Sequence, residues 1–131
     1  MTKDSGTRRK SRINSDLADD LYIRIIQKIG LEKRYADPHY SARQLAKDLD
    51  TNPRYVSEVV ALHTGGNYNA LVNGYRLREA RRMLTSARYA AMSVEEVGLA
   101  CGFASRQAFY VAFHREEQIT PLQYREKMKD E

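Results

Sequence analysis

The chain has no tryptophan, one cysteine, three prolines and three histidines among its 131 residues. A single thiol cannot form an internal disulfide, which excludes the cross-linked secreted scaffolds. Cys101 sits at an apolar helix end with no basic or histidine neighbour in sequence, so it reads as a small core residue and not as a reactive thiol. His39, His63 and His114 lack companions at metal-ligand spacing, and His114 with Glu117 does not make a zinc-protease motif. No nucleophile–base constellation is present. The expectation is a non-enzyme with no catalytic residues, no cofactor and no metal. No run approaches the ~20 apolar residues that span a bilayer, and no secretory leader opens the chain. A soluble, cytoplasmic, nucleoid-associated protein with no membrane partner is therefore expected. Strand-like alternation of useful length is also missing, which makes the fold class all-α.

What is there begins with charge. The net charge is +5, but its distribution matters more than its size. Residues 1–14 carry Lys3, Arg8, Arg9, Lys10 and Arg12 against Asp4, while residues 15–131 hold 17 basic and 16 acidic groups. The first 14 residues are polar and without apolar period, and read as a disordered basic arm or linker. Residues 15–131 form the folded domain. Within it, residues 76–125 have eight arginines against five glutamates, so a phosphate-facing side is expected in the second half.

The segment Leu45–Val60 is echoed by Val97–Phe113, at an offset of 52 residues before an internal turn and 53 after it. Each copy reads as helix, tight turn, second helix. Leu17, Leu21, Ile25 and Ile29 recur at intervals of four, giving an amphipathic first helix that runs towards Tyr35 and closes at Asp37-Pro38. Later helix starts are punctuated. Ser41 with Gln44, Ser93 with Glu96, and Thr120 with Gln123 match the reciprocal capping box, in which a hydroxyl and a side chain three residues on satisfy free backbone N–H groups. Asn52-Pro53 and Thr120-Pro121 place proline at the first helical position. Between the copies, Leu71, Val72, Tyr75, Ala80 and Leu84 form a stripe opposite Arg76, Arg78, Arg81 and Arg82, predicting one connecting helix that packs against both units and sets their spacing. The first unit is placed at about 41–65, the connecting helix at about 68–86, the second unit at about 93–117 and a final helix at about 120–129.

A helix-turn-helix unit braces its first helix across the nucleic-acid backbone and projects the N-terminal side chains of its second into the major groove. Interior positions must be small or apolar. The first unit supplies Leu45, Ala46, Leu49, Tyr55 or Val56, Val59 and Val60; the second supplies Val97, Ala100, Phe103, Phe109 and Phe113. The turn needs left-handed geometry, offered by Gly102 in the second copy and Asp50 in the first. With Asn52 and Ser105 as caps, Arg54, Ser57 and Glu58, and then Arg106, Gln107 and Tyr110, point outwards near the helix starts. Arginine can pair with guanine, glutamine with adenine, and glutamate can accept from cytosine.

With Gly102-Phe103, Ser105, Phe109, Phe113, Thr120-Pro121 and Tyr124-Arg125 at these spacings, together with Tyr75-Arg76-Leu77-Arg78-Glu79-Ala80, the chain resembles the DNA-binding domain of the AraC/XylS regulators over roughly residues 35–126. The resemblance implies about seven helices in two helix-turn-helix subdomains joined by a long helix, with both recognition helices entering successive major-groove segments. It also implies base-facing roles for Arg54, Ser57, Glu58, Arg106, Gln107, Tyr110 and Val111. Arg43, Arg76, Arg115 and Arg125 are the candidate phosphate contacts, with Arg125 alternatively a structural partner of the final helix. Three residues depart from the family pattern. Val111 replaces a common arginine, which favours a thymine methyl as its contact. Gln118 replaces a glycine and should cost ~1–2 kcal/mol in left-handed geometry, and Val60 replaces a phenylalanine, implying looser packing. The expected function is sequence-specific binding of double-stranded DNA by a bacterial transcription regulator. RNA polymerase and a sensor or dimerisation domain on the same full-length chain are its further expected partners. The alternative is a helical interaction module that docks RNA polymerase or another protein without reading sequence.

Overall fold

A computed structural model describes residues 15–129; the arm expected at residues 1–14 lies outside them. Among the described residues there are seven α-helices and no strand. The chain divides into two compact units, one reaching Glu32 and resuming over Ser41–Tyr68, the other comprising Lys33–Tyr40 and the residues from Asn69 on.

The first unit opens with α1 (15–26), which continues as a π-helical turn over Gln27–Leu31. Its buried face is Ala18, Leu21, Ile25 and Ile29. Leu17, expected in that stripe, is 57% exposed. A strict four-residue spacing drifts about 40° per step around a helix of 3.6 residues per turn. Over the three steps back from Ile29, the drift carries Leu17 off the face that Ala18 occupies. The helix stops short of Tyr35: Lys33 turns left-handed at φ 57°, and Tyr35 is buried in a separate short turn, Arg34–Ala36.

Helices α2 (Ala42–Asp48) and α3 (Pro53–Thr64) form the first helix-turn-helix. Ser41 Oγ accepts from the Gln44 backbone N–H at 3.1 Å. The Gln44 side chain donates to Asp48 Oδ1 at 2.8 Å. The expected reciprocal box at this start is thus half-formed, because an anionic acceptor one helical turn on engages the glutamine. Asp50 takes the left-handed turn at φ 56°, and Asn52 Oδ1 caps α3 through the Tyr55 N–H at 2.8 Å. Leu45, Ala46, Leu49, Val56, Val59 and Val60 are buried. Between the two interior candidates, Val56 is the core residue and Tyr55 is half-buried.

The second unit contains all but the first residue of α4 (Tyr68–Leu84), then α5 (Val94–Ala100), α6 (Arg106–Glu117) and α7 (Pro121–Lys129). Its core joins Leu77, Ala80, Met83 and Leu84 to Val94, Val97, Cys101, Phe103, Phe109 and Phe113. Phe109 is the hub, with ring centroids 5.1 Å from Phe103 and 5.7 Å from Phe113. Of the expected stripe on α4, Leu71 and Tyr75 are only half-buried, whereas Leu77 and Met83 are buried. Ala100, expected inside, is exposed, and Gly98 takes the interior place. A Cβ on Gly98 would lie 2.4 Å from Phe109 Cδ2, so the large ring fills the space that a side chain would need. Burial pushes the Cys101 thiol up to about 12, with a smaller push from the charge of Glu79; it is a core residue and not a nucleophile.

Both remaining capping boxes form completely. Ser93 and Glu96 exchange bonds of 3.0 and 3.1 Å, and Thr120 and Gln123 bonds of 2.8 and 3.1 Å. Segment Lys33–Tyr40 joins this unit through backbone contacts. Arg76 donates to the carbonyls of Tyr35 at 2.7 Å and Asp37 at 3.2 Å, and Gly102 at φ 107° lies against Tyr35 and Ala36. Gln118 ends α6 in the left-handed region at φ 65°.

Candidate nucleic-acid interface

Each unit presents the same division of labour along its second helix. In α3, Val56, Val59 and Val60 face inwards, while Arg54, Ser57 and Glu58 are exposed. In α6, Phe109 and Phe113 are fully buried, while Arg106, Gln107 and Val111 are exposed. A 3.6-residue period forces this separation: the side chains that dock the helix and those left for a ligand lie on opposite faces. Ser105 Oγ caps α6 through the Ala108 N–H at 3.1 Å. Asn52 and Ser105 therefore fix where both exposed faces begin.

The outward residues differ in how they are held. Arg54 Nε pairs with Glu58 Oε1 at 3.3 Å along one helix, with both side chains largely in solvent. On α6, Tyr110 is half-buried and donates its hydroxyl to Glu95 Oε1 at 3.1 Å. Arg106 Nε lies 3.4 Å from the same oxygen, and its guanidinium carbon is 5.0 Å from the centre of the Tyr110 ring. Glu95's carboxyl is held below its ordinary range, first by its own backbone N–H, then by the Tyr110 hydroxyl and, against some desolvation, by the charge of Arg106.

The four candidate phosphate contacts fall into two pairs. Arg43 and Arg115 are exposed, and their guanidinium groups have no partner among the described residues. Arg115 borders a shallow groove of about 370 Å³ beside Gln107, Val111 and Asn73. Arg76 and Arg125 are structural in their contacts. Besides its two carbonyl bonds, Arg76 reaches Asn73 Oδ1 at 3.2 Å and lies over the Phe103 ring. Arg125 donates to the carbonyls of Met92 at 2.7 Å, Leu84 at 3.3 Å and Tyr89 at 3.4 Å. Two further arginines of α4 are paired: Arg81 with Glu117 at 3.0 Å, and Arg82 with Glu79. Pairing therefore reduces the positive surplus of the second half to fewer available groups than composition implies.

A helix-turn-helix domain family model matches residues 45–127, a span that contains both duplicated segments. The chain belongs to this helix-turn-helix family. The resemblance to AraC/XylS regulators is borne out by the relatives and solved structures that share it. The regulator CdhR of Pseudomonas aeruginosa is 28% identical over 102 residues, which cover 78% of this chain and 30% of CdhR. The regulatory protein PocR of Salmonella typhimurium is 28% identical over 101 residues, covering 74% of this chain and 32% of PocR. The chain thus spans about a third of the length of these curated relatives. Among solved structures, the C-terminal domain of the two-component response regulator yesN from Fusobacterium nucleatum aligns with a TM-score of 0.69 at 26% identity, over 79% of this chain and 97% of that one. Seven helices and no strand among the described residues match this helix-turn-helix architecture. No helix among them is long and apolar enough to cross a membrane.

Sequence reasoning missed Glu95 and Asn73. Glu95 is masked in sequence by Glu96, whose capping role is explicit, and only the fold brings it beside Arg106 and Tyr110. Asn73 lies on the polar side of α4, more than 30 residues from the α6 face it borders.

Proposed function

We propose that this chain is the sequence-specific, double-stranded-DNA-binding part of a bacterial transcription regulator, with α3 and α6 as its two recognition helices. One observation carries the reading: both second helices are pinned by a buried apolar face and a capped N-terminus, and both present an exposed face of base-competent side chains. Arg54, Ser57 and Glu58 on α3, and Arg106, Gln107, Tyr110 and Val111 on α6, are assigned to base edges. Arg43 and Arg115 are assigned to phosphates. Arg76 and Arg125 are assigned to the scaffold, because their donors already meet backbone carbonyls. The relatives' greater length supports a sensor or dimerisation domain elsewhere on the full-length chain, and a role in transcription makes the cytoplasm its setting and RNA polymerase a further partner.

Fluorescence anisotropy with selected and random duplexes at several salt concentrations tests the reading. A selected site should bind at least ~10³-fold tighter than random duplex, with affinity falling steeply as salt rises. Equal, weak binding to all duplexes would favour the interaction module instead. Reading two successive groove segments also requires two core sequences about one helical turn, ~10 base pairs, apart. Inserting five base pairs between them should abolish tight binding.

A further inference from the structure

Arg106 occupies the first position of α6 with its side chain 70% exposed, a situation in which a free arginine samples many rotamers. Here two contacts restrict it, and a third ties its two partners together. Its Nε faces Glu95 Oε1 at 3.4 Å, its guanidinium lies 5.0 Å from the centre of the Tyr110 ring, and the Tyr110 hydroxyl is tied at 3.1 Å to the same carboxylate oxygen. Glu95 therefore stands behind both Arg106 and Tyr110, which lie one turn apart on α6. It is itself fixed on α5, whose start is closed by the complete Ser93–Glu96 capping box. The contact through Nε is an ion pair and not a hydrogen bond, so Glu95 orients the guanidinium by charge.

We propose that Glu95 is a specificity-determining positioning residue: it holds Arg106 on the Tyr110 ring so that Nη1 and Nη2 meet the O6 and N7 of one guanine end-on. The inference rests on the DNA-binding reading and deepens it. An arginine can approach a guanine end-on through both terminal nitrogens or side-on through Nε and one of them, and it can also slide to a phosphate. With the Nε edge nearest a carboxylate, an acceptor approaching side-on would meet that negative charge. A phosphate placed at the guanidinium would meet the negative charge of Glu95 close by. Neutral base acceptors suffer far less from that charge, so the carboxylate biases Arg106 from backbone to base. Tyr110, with its hydroxyl donated to Glu95, supplies the platform for this arginine in addition to its own assigned base contact.

The test compares the parent chain with Arg106→Ala, Glu95→Ala and Glu95→Gln, first by selection from a random duplex pool and then by competition among sites permuted at one base pair. The parent should select guanine at a position that Arg106→Ala no longer specifies. Glu95→Ala should weaken the guanine preference at that same position about fivefold or more. Affinity for random duplex should not fall, because an anion has been removed from beside the phosphates. Glu95→Gln keeps an oxygen acceptor and should retain more of the preference than Glu95→Ala. A merely structural role for Glu95 would lower affinity for every duplex together, and that result would overturn the inference. So would an unchanged guanine preference in Glu95→Ala. A parent chain that selects no sequence at all would instead overturn the DNA-binding reading itself.

Discussion

Replacing Gly102 with alanine perturbs the turn between α5 and α6 at the point where it touches Tyr35 and Ala36. Two penalties act there. The residue sits at φ 107°, where a side chain costs ~1–2 kcal/mol. A Cβ would also lie 2.2 Å from the Tyr35 carbonyl oxygen and under 3 Å from the Ala36 backbone. Neither neighbour is the tip of a flexible side chain, so backbone must move, at an overpacking cost of ~1–3 kcal/mol. Alanine also narrows the unfolded ensemble, which returns ~0.4–1 kcal/mol. The net loss is then ~1–5 kcal/mol, a large share of the ~5–15 kcal/mol that stabilises an ordinary domain. At ~3–6 °C per kcal/mol for a chain of this size, the midpoint should fall by on the order of 5–25 °C. Far-UV circular dichroism gives the melt, and labelling of the buried Cys101 thiol reports opening of the second unit specifically. Gly74 is the control: it lies exposed in α4 with open space where a Cβ would go, so Gly74→Ala should raise stability by up to ~1 kcal/mol. A Gly102→Ala protein melting within a few degrees of the parent would refute the argument.

Gln118→Gly should relieve ~1–2 kcal/mol of left-handed strain but lose the Gln118 side-chain bond to the Arg115 carbonyl and gain unfolded-state freedom. The terms nearly cancel, so the melting midpoint should stay within a few degrees of the parent. His63 faces acceptors with both ring nitrogens, the Val59 carbonyl at 2.9 Å and Asp19 Oδ1 at 2.6 Å, and stacks on Tyr22 at 4.3 Å. Its pKa is raised, first by the Val59 carbonyl and then by Asp19. The charged imidazole therefore stabilises the first unit below the ordinary value of 6.5, and that contribution is lost as pH rises through the higher folded-state value. Melting midpoints measured from pH 5.5 to 8.5 should show this loss in the parent and a flatter profile in His63→Gln. Arg125→Ala should cost ~1–3 kcal/mol of stability by stranding the carbonyls of Leu84, Tyr89 and Met92, measurable by urea titration. Arg115→Ala should leave stability within ~0.5 kcal/mol and reduce the salt slope of DNA binding by about one.

The all-α class, both turns and most helix starts were legible because each rests on local chemistry. Asn52, Ser93, Ser105 and Thr120 cap where their side chains can reach the next free N–H, and Asp50 and Gly102 stand where the chain must turn left-handed. What escaped depends in some places on local geometry finer than the pattern and in others on partners remote in sequence. Leu17 fits a four-residue spacing but not the true helical angle, and Gln44 satisfies the capping pattern but meets Asp48 first. Ala100 looks like an interior residue until the ring of Phe109 claims the place beside Gly98. The arginines show the limit of counting charge. Composition gives Arg76, Arg106, Arg115 and Arg125 equal weight, whereas the fold commits Arg76 and Arg125 to carbonyls, braces Arg106 and leaves Arg115 open to solvent.

The duplication also explains why the two outward arginines are held so differently. Aligned through their caps, Arg54 corresponds to Gln107 and Glu58 to Val111. The first unit thus keeps its carboxylate on the recognition helix itself, four residues beyond the arginine. Such an exposed pair contributes only ~0.3–0.5 kcal/mol, so Arg54 can leave it for a base edge or a phosphate, and Glu58 for a base edge. In the second unit the corresponding position is apolar, and the carboxylate arrives from α5, where a capped start and the Tyr110 hydroxyl hold it in place. A carboxylate behind an arginine restrains it, whereas a carboxylate beside it on the same face competes to be read in its own right. On the proposed assignment of base contacts, the same fold carries two adjustable readers on α3 and one braced reader with its support on α6.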